Sequence, residues 1–374
     1  MVEKRLRILN RRLIDWGEMT KRFLAAVLIS GSLFNSLVGS ASAVSSRESS
    51  KADTNPTKVK AVESPGCAVK GSAVDLAVDY KIDIEVPNVS PELAERWYYR
   101  HIPPSYGARP LPLVVDLHGY SEGATIHLMM SSLGKFGDEK GFITVTPQGQ
   151  GAVARWDTAL KGSADAAFIK AMITDVKKQV CVDTRRVYVA GLSNGAFMAS
   201  ALACVLSKQI AAIAPVAGVQ APKGCRQARA VPVVAFHGTA DGFVGYDGGL
   251  GERARRLPAA DGSGKTLEES GQLPKASSKG PSVPETMQAI ARRNSCNAKQ
   301  LQKRVSSDVT RISYECSKSR DVALYRVTGG GHTWPGSAFS QQIESVVGKT
   351  TMTISANEIM WRFFVEHPLV KNAK

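Results

Sequence analysis

The sequence predicts an α/β fold in which one mostly parallel sheet is covered by helices on both faces. Strand-like runs and helical patterns alternate along the chain, which is typical of a doubly wound sheet. Several of the later strand-like runs are continuously apolar, as expected for parallel strands that are buried on both faces. The length of 374 residues allows two domains, but α/β folds often reach this size as one unit. We therefore predict a single folded domain.

The predicted strands are short runs rich in β-branched, aromatic and other apolar residues. They lie at residues 80–86, 96–102, 111–117, 142–146, 187–190, 210–216, 231–236 and 324–327. The predicted helices show apolar residues at helical spacing. They lie at about residues 122–139, 164–179, 195–207, 283–294 and 354–367. Residues 247–281 interrupt this alternation with Gly, Pro, Ser and mixed charge, so we predict a long loop insertion there, whose role as a lid is open.

The amino terminus is typical of a secretion signal over residues 1–43. Lys21 and Arg22 precede the apolar run 23–29, and Ala-Ser-Ala at 41–43 is a small-residue cleavage site. Translation from Met19 would give the usual short charged lead. No cysteine follows the cleavage site, so we expect a soluble, exported product, extracellular or periplasmic, without a stable membrane anchor.

Residues 44–70 are rich in Ser, Lys, Thr, Glu and Pro and have little to bury, which indicates a flexible leader. The folded domain is then predicted to occupy residues 71–374. The formal charge of the chain is +15, of which residues 1–43 contribute +4 from seven Lys/Arg and three Asp/Glu, leaving +11. A basic surface of this kind suits acidic polysaccharide or a bacterial envelope, but we prefer to explain it as a solubility feature. No nucleic-acid motif accompanies it, and we expect no nucleic-acid partner.

Six cysteines in an exported protein predict disulfides, and their spacing does not resemble a zinc site. Six cysteines allow fifteen pairings. Cys296 and Cys316 flank one short helix-to-strand unit and are the pair we expect first. Cys181 precedes a predicted strand and Cys204 ends the following helix, so these two are a second candidate pair. Cys225 is the competing partner for either of them.

The stretch 186–199 predicts a strand, an abrupt turn and a helix, with Gly191-Leu-Ser193-Asn-Gly195 at the turn. The flanking glycines let the returning helix pack closely, and Ser193 takes a strained backbone conformation. Its hydroxyl is then exposed at the carboxyl edge of the sheet, at a helix amino terminus that favours negative charge. This is the pattern of the nucleophile elbow of an α/β-hydrolase.

A nucleophilic serine needs an imidazole as base and a carboxylate that orients it. In this fold the order along the chain is serine, acid, histidine. Asp241 lies just after the strand 231–236, at the same edge as Ser193, and we assign it as the acid. A turn aspartate that caps its own backbone is the alternative. Asp247 and Glu252 are weaker candidates because they lie in the insertion.

Six histidines compete for the role of base: His101, His118, His127, His237, His332 and His367. His332 comes directly after the last predicted strand, with three glycines at 329–331 before it, whereas His367 lies near the carboxyl terminus. These glycines let the backbone bring the ring over the serine, so we assign His332 as the base. His118 and His237 each precede a glycine at a strand end and are expected to be structural there.

An oxyanion hole needs one N–H from the residue after the nucleophile and a second from the loop after the third strand. Asn194 follows Ser193. The strand 111–117 ends in His118-Gly-Tyr120, so the backbone N–H of Tyr120 is the expected second donor. Its ring borders the predicted pocket, with plain packing as the alternative.

The chain resembles the secreted polyhydroxybutyrate depolymerase and feruloyl or acetylxylan esterase family of α/β-hydrolases, from about residue 80 to residue 367. The segments that carry the resemblance are 181–196, 214–218, 237–241 and 330–336. Residue by residue, it carries the family's nucleophile onto Ser193, its acid onto Asp241 and its base onto His332. Depolymerases of this family often have a cysteine where this chain has Tyr120, which favours the esterase branch.

The resemblance implies a serine esterase that needs no metal and no cofactor. The expected substrates are feruloyl or acetyl esters of plant cell-wall polysaccharide, or hydroxyalkanoate oligomers. No polymer-binding module is expected, which favours small or oligomeric esters. Trp156 and Trp334 are candidates for stacking on a sugar or a feruloyl ring, with core packing as the alternative. Three other functions are weighed: a true polyhydroxybutyrate depolymerase, a serine peptidase and a non-catalytic polysaccharide-binding protein. The oligomeric state is not predicted.

Overall fold

The computed structural model describes residues 60–69, 74–107, 109–225, 228–273, 280–317 and 319–369. The predicted signal peptide, including Met19, and the first part of the predicted leader lie outside these residues.

One sheet runs through the described residues, with its strands in the order β1-β2-β4-β3-β5-β6-β7-β10-β9-β8. Its strands are β1 Asp79–Glu85, β2 Glu95–His101, β3 Leu111–Leu117, β4 Ile143–Pro147, β5 Val182–Leu192, β6 Ala212–Val216, β7 Val233–Gly238, β8 Gln300–Arg304, β9 Val309–Tyr314 and β10 Val322–Val327. The central strands β4, β3, β5, β6, β7 and β10 pair in parallel. The outer strands pair antiparallel. The predicted fold class is confirmed.

The helices alternate with the central strands as predicted. They are α1 Pro91–Ala94, α2 Gly123–Ser131, α3 Leu133–Lys140, α4 Ala164–Gln179, α5 Asn194–Val205, α6 Glu252–Arg255, α7 Val283–Arg293, α8 Ala338–Gln342, α9 Glu344–Val347 and α10 Ala356–Glu366. None of these helices is both long enough and apolar enough to span a membrane.

Besides the short helices α1, α6, α8 and α9, which were not predicted, two features of the secondary structure differ from the sequence prediction. The single helix expected at 122–139 is divided into α2 and α3, because Ser132 adopts a left-handed conformation with φ of 50°. The antiparallel strands β8 and β9 were not predicted. All five residues of β8 are exposed at the sheet edge, so this strand has no alternation of apolar and polar residues.

Two apolar layers cover the two faces of the sheet. One layer packs α4, α5 and α7 against it. The other packs α2, α3 and α10, and there Tyr188 of β5 stacks on Phe364 of α10 with ring centroids 4.5 Å apart. Burying one such aromatic side chain stabilises the fold by about 1.5–3 kcal/mol. The helices therefore hold the central strands, and the loops at their carboxyl ends, in fixed positions.

The end of the predicted leader is bound to the sheet. Ser64 donates a hydrogen bond to the carbonyl oxygen of Val180 and accepts one from the amide of Val182. The amide of Val62 donates to a carboxylate oxygen of Asp183, at 3.0 Å. Residues 60–69 are therefore packed against the start of β5 rather than free of the domain.

The described structure has three disulfides, which pair Cys67 with Cys181, Cys204 with Cys225, and Cys296 with Cys316. The pair Cys296–Cys316 is as predicted. The candidate pair Cys181–Cys204 is wrong, and the competing partner Cys225 is the one that Cys204 takes. The reason is the docked leader, which brings Cys67 to Cys181 over a separation of 114 residues.

Candidate active site

The turn between β5 and α5 has the geometry of a nucleophile elbow. Ser193 lies between the two elements with φ of 56° and ψ of −115°, a strained conformation for a residue with a side chain. A Cβ atom on Gly191 would lie 2.6 Å from the carbonyl oxygen of Gly195, and one on Gly195 would lie 2.2 Å from that of Leu117. Only glycines at these two positions let the helix return so close to the sheet.

The elbow lies against the loop that follows β3. A Cβ atom on Gly119 would be 3.5 Å from Cβ of Ser193, so the backbone of Gly119 lies next to the Ser193 side chain. The amide of Ser193 donates to the carbonyl oxygen of Val216, at 2.9 Å. The Ser193 side chain is partly exposed at the carboxyl edge of the sheet.

The strands β7 and β10 end at the same edge and bring the predicted acid and base together. His332 Nδ1 lies 2.8 Å from Asp241 Oδ2, and both side chains are buried. The other carboxylate oxygen of Asp241 accepts hydrogen bonds from the amides of Phe243 and Val244, at 2.8 and 3.0 Å. The Phe243 ring packs on the imidazole, with centroids 4.9 Å apart. Asp241 is thus held by its own loop and faces the imidazole.

Burial raises the pKa of Asp241, but the neighbouring His332, together with the hydrogen bonds, outweighs this effect and leaves the pKa below its ordinary value. Asp241 therefore stays ionised at neutral pH. Of the rival carboxylates, Glu252 pairs with Arg255 at 3.2 Å. No hydrogen bond of the described residues joins Asp247 or Glu252 to His332.

Crowding requires two of the three glycines before His332, namely Gly330 and Gly331. A Cβ atom on Gly331 would lie 2.3 Å from the carbonyl oxygen of Val347, and one on Gly330 would lie 2.6 Å from Cγ1 of Val327. The amide of His332 donates to the carbonyl oxygen of Val347, at 2.7 Å. The loop therefore lies tightly between β10 and the turn after α9, which positions the imidazole.

The hydrogen bonds of the described residues include the one between His332 and Asp241 but none from the Ser193 hydroxyl. In free enzymes such contacts are often long and shorten when substrate binds. The transfer of a proton from Ser193 to His332 therefore belongs to the proposal below.

Two backbone N–H groups are available next to Ser193. Among the described residues, no acceptor binds the amide of Asn194, the first residue of α5, or the amide of Tyr120. The Asn194 side chain is occupied elsewhere, because its Oδ1 accepts from the amide of Trp156 and its Nδ2 donates to the Trp156 carbonyl oxygen. These are the two predicted oxyanion donors, and their N–H groups remain candidates for that role.

The structural histidines contact the same edge. His118 Nε2 accepts from the amide of Gly149 at 2.8 Å, and burial lowers the pKa of His118 to about 4, so the ring is neutral. His237 Nε2 lies 3.9 Å from Asp241 Oδ2, and among the described residues it has no hydrogen-bond partner. Burial lowers the pKa of His237 as well. Both rings pack around the edge of the sheet.

Neither predicted stacking residue has an exposed ring. Trp156 is 3% exposed and its indole N–H donates to the carbonyl oxygen of His118, at 2.9 Å. Trp334 is 1% exposed and donates to Asn357 Oδ1, at 2.8 Å. A sugar or feruloyl ring needs an open indole face, so both tryptophans take the core-packing alternative. Trp156 thus ties its loop to the end of β3, and Trp334 ties the loop after His332 to α10.

A charged cluster that was not predicted lies beneath the Tyr120 loop. His127 of α2 has one ring nitrogen 2.8 Å from Asp116 Oδ1 and the other 3.0 Å from Glu122 Oε1. The sequence contained one indication of this cluster. Asp116 is the one charged residue in the strand Leu111–Leu117, and a buried carboxylate requires a partner.

The insertion lies beside the same loop. The Tyr120 hydroxyl donates to the carbonyl oxygen of Pro258 at 2.8 Å, and Arg155 donates to that of Ala260 at 3.1 Å. Arg253 donates to the carbonyl oxygen of Val346. The described part of the insertion is therefore bound to the loops that surround Ser193. No three His, Cys, Asp or Glu side chains of the described residues form a group that could hold a metal ion.

Comparison with known proteins shows that this chain is similar to esterases. Residues 97–249 match the family model described as Esterase PHB depolymerase, a range that includes Ser193 and Asp241. A bifunctional acetylxylan esterase/xylanase of Neocallimastix patriciarum is 30% identical over 38% of this chain and 21% of its own length. Feruloyl esterase B of Piromyces equi is 27% identical over 60% of this chain and 40% of its own length. The chain thus spans less than half the length of either relative.

Among solved structures, an acetyl xylan esterase from Aspergillus awamori aligns with 71% of this chain and 98% of its own, at 14% identity and a TM-score of 0.47. The α/β-hydrolase fold follows from the strand order and the elbow described above. The family resemblance seen in the sequence is confirmed over residues 97–249, which match the Esterase PHB depolymerase model and lie within an α/β-hydrolase fold.

Proposed function

We propose that this protein is a secreted serine esterase that cleaves carboxylic esters through an acyl-enzyme, with Ser193 as nucleophile, His332 as base and Asp241 as acid. The observation that carries the proposal is the buried hydrogen bond between His332 Nδ1 and Asp241 Oδ2, at the sheet edge where the strained Ser193 is exposed. The family match supports the ester as substrate class.

The hydrogen bond to Asp241 determines which nitrogen of His332 works as the base. Nδ1 keeps its proton and donates a hydrogen bond to Asp241, so Nε2 is left unprotonated and able to take the proton of the Ser193 hydroxyl. The serine oxygen then bonds to the ester carbonyl carbon, and the carbonyl oxygen becomes an oxyanion. The N–H groups of Tyr120 and Asn194 stabilise that charge.

Collapse of the tetrahedral intermediate breaks the bond to the alcohol oxygen, and His332 gives its proton to the leaving alcohol. Water then adds to the acyl-enzyme by the same steps and releases the acid. Asp241 stays ionised throughout and stabilises the imidazolium that forms in each half of the reaction.

The proposed substrates are feruloyl or acetyl esters carried by plant cell-wall polysaccharide, because relatives with those names match this chain. Hydroxyalkanoate oligomers are the second candidate, since the matching family model is described as a PHB depolymerase esterase. The described part of the insertion 247–281, which accepts a hydrogen bond from the Tyr120 hydroxyl, borders the proposed site. It would contact the alcohol or the acyl group of an entering substrate.

Export is part of the proposal and is supported by the three disulfides of the described residues, which persist in an oxidising compartment. Mass measurement of the exported protein tests the predicted cleavage after Ala43. Detection of residues 1–18 in the unprocessed precursor would exclude Met19 as the start.

The deciding experiment compares the wild type with Ser193→Ala on a chromogenic short-chain ester and with a fluorophosphonate probe. We expect the variant to lose both turnover and labelling while its thermal unfolding is unchanged. Turnover within tenfold of the wild type would end the assignment of Ser193. Binding of polysaccharide by a wild type that is never labelled would favour a non-catalytic binding protein.

A substrate panel then separates the candidates: methyl ferulate, acetylated xylan, hydroxybutyrate oligomers, p-nitrophenyl esters of rising chain length and a matched anilide. Preference for ferulate or acetyl-xylan supports the proposed substrate class. Preference for hydroxybutyrate oligomers makes the protein a depolymerase, and preference for the anilide makes it a peptidase.

A further inference from the structure

A buried ionic cluster supports the loop that carries Tyr120. It consists of Asp116 in β3, Glu122 in the turn after it, and His127 in α2, and we call it the buried triplet. His127 and Asp116 are almost completely buried, and the Glu122 side chain is 9% exposed. An ionic cluster at this depth is costly to form unless each charge is paired.

Both ring nitrogens of His127 face carboxylate oxygens, Asp116 Oδ1 at 2.8 Å and Glu122 Oε1 at 3.0 Å. Carboxylates only accept hydrogen bonds, so a proton on each nitrogen satisfies both contacts and makes the ring an imidazolium. Burial lowers the pKa of His127, but the two carboxylates outweigh it and raise the pKa to about 10. The second oxygen of Asp116 accepts from the Ser131 hydroxyl.

The triplet reaches the proposed oxyanion hole through Glu122. The second oxygen of this carboxylate, Oε2, accepts a short hydrogen bond from the amide of Gly119, the residue before Tyr120. Gly119 is also the residue whose backbone lies against Ser193. With the Gly119 amide bound inward, the next amide, that of Tyr120, has no acceptor among the described residues.

The same histidine contacts the other side of the site. The His127 ring meets the Trp334 ring edge-on, with centroids 5.7 Å apart, and Trp334 follows His332 by two residues. The last residue of α2, Ser131, accepts a hydrogen bond on its carbonyl oxygen from Asn357, at 2.8 Å. The triplet therefore lies between the loop of the proposed oxyanion hole and the loop of the proposed base.

Building on the proposed function, we propose that His127 is a positioning residue: its imidazolium keeps Glu122 ionised, so that Glu122 holds Gly119 and directs the Tyr120 N–H toward the oxyanion. Without the imidazolium, the buried Glu122 would take up a proton and lose an acceptor position. The Gly119–Tyr120 peptide would then be free to rotate, and one oxyanion donor would be misplaced.

The molecule offers a matched control. His101 in β2 also bridges two carboxylates, Asp79 Oδ1 and Asp138 Oδ1, both at 3.0 Å. It pairs with Thr144 near the start of β4, at the edge of the sheet opposite Ser193. His101→Gln therefore removes the same kind of bridge without touching the site.

The test measures kcat and KM on p-nitrophenyl acetate for the full-length wild type, His127→Gln, Glu122→Gln and His101→Gln, with the unfolding temperature of each. We expect kcat to fall by about 10–100-fold in the first two variants with KM within twofold, because removing one oxyanion donor outright costs about 10²–10³. We expect His101→Gln to keep kcat within twofold of the wild type, even if its unfolding temperature falls as much as that of the other two variants.

A second readout is inhibition by an aliphatic trifluoromethyl ketone. The serine oxygen adds to its carbonyl carbon, the serine proton moves to His332, and the carbonyl oxygen becomes a stable oxyanion. Its inhibition constant should rise by the same factor by which kcat/KM falls. If His127→Gln does not fold, Glu122→Asp replaces it, because that carboxylate is too short to reach both Gly119 and His127.

The proposal is overturned if His127 and Glu122 variants lose no more kcat than His101→Gln at an equal loss of stability. It is also overturned if KM rises while kcat is unchanged. Ser193→Ala keeps the two proposals distinct: turnover retained in that variant refutes the proposed function. Turnover lost there but retained in His127→Gln refutes only the positioning role.

Discussion

His332 Nδ1 and Asp241 Oδ2 lie 2.8 Å apart in the interior, although the two residues are 91 positions apart in the chain. The contact exists because β7 and β10 are parallel neighbours whose carboxyl ends reach the same edge of the sheet. Each residue lies in a loop that leaves one of these ends. The proposed chemistry depends on this pairing.

We expect Asp241→Asn to lower kcat by about 10⁴-fold, because an amide nitrogen facing His332 would favour the tautomer with the proton on Nε2. That tautomer cannot accept the serine proton. The asparagine Oδ1 still accepts from the amides of Phe243 and Val244, so the loop should keep its conformation.

The measurement is steady-state hydrolysis of p-nitrophenyl acetate, with Asp247→Asn as the matched control in the insertion. Asp241→Asn activity within tenfold of the wild type, or an equal loss in Asp247→Asn, would show that Asp241 is not the acid.

We expect Tyr120→Phe to leave kcat within twofold of the wild type, because the proposed oxyanion donor is its backbone N–H and not its side chain. Loss of the hydroxyl removes the hydrogen bond to Pro258. A partly exposed hydrogen bond contributes about 0.5–1.5 kcal/mol, so the insertion should open roughly two to ten times more often.

Limited trypsin digestion measures that opening as the rate of cleavage within residues 247–281. Tyr99→Phe is the control, because its exposed hydroxyl contacts Thr125 and not the insertion. A large drop in kcat for Tyr120→Phe would assign the hydroxyl a part in the reaction, and an unchanged cleavage rate would show that the hydroxyl does not restrain the insertion.

The disulfide Cys67–Cys181 should stabilise the fold more than Cys296–Cys316. The first closes a separation of 114 residues and the second one of 20. In the chain-entropy model these loops give about 5 and about 3 kcal/mol. We therefore expect the double variant Cys67→Ser/Cys181→Ser to lose roughly 1.5 kcal/mol more unfolding free energy than Cys296→Ser/Cys316→Ser.

Urea unfolding of the purified variants under oxidising conditions measures the difference. A smaller loss in the Cys67/Cys181 variant would mean that the segment 60–69 detaches without destabilising the sheet.

The buried triplet predicts a specific dependence of stability on pH. The pKa of His127 is raised to about 10 in the folded protein, against an ordinary value of about 6.5 when unfolded. Its contribution to stability is therefore complete below about pH 6.5 and is lost as pH rises toward 10. The charged groups that face the ring are Asp116 and Glu122.

The measurement is the unfolding temperature of the wild type and His127→Gln between pH 6 and pH 10.5. The difference between the two should be largest at pH 6 and shrink as pH approaches 10. A difference that is constant with pH would show that His127 carries no extra charge in the folded protein.

Local sequence patterns predicted most of the elements that build the site. The Gly-x-Ser-x-Gly pattern around Ser193 predicted the elbow from one turn of chain. In the structure a Cβ atom on Gly191 would meet the carbonyl oxygen of Gly195 in that turn at 2.6 Å, and one on Gly195 would meet that of Leu117 in β3 at 2.2 Å. The positions of Asp241 and His332, each after a strand end, could be predicted from the order of the strands. Parallel strands bring their carboxyl ends to one edge, so the order along the chain implies a meeting in space.

Contacts between distant segments were not readable from such patterns. The indole rings of Trp156 and Trp334 are of a type that stacks on substrate rings, yet the packing of the loops that carry them buries both rings. Strand β9 is held by its pairing with β10, and β8 by its pairing with β9, rather than by a pattern that the sequence analysis recognised.

The sequence by itself therefore determined the fold class, the elbow at Ser193 and the candidates for acid and base, because these depend on backbone conformation and strand order. Only the tertiary structure decided that Cys67 pairs with Cys181 and that His127 lies between Asp116 and Glu122. Such pairings depend on how whole elements dock. The free energy of docking comes from buried area and charge pairing across the molecule, which no short stretch of sequence records.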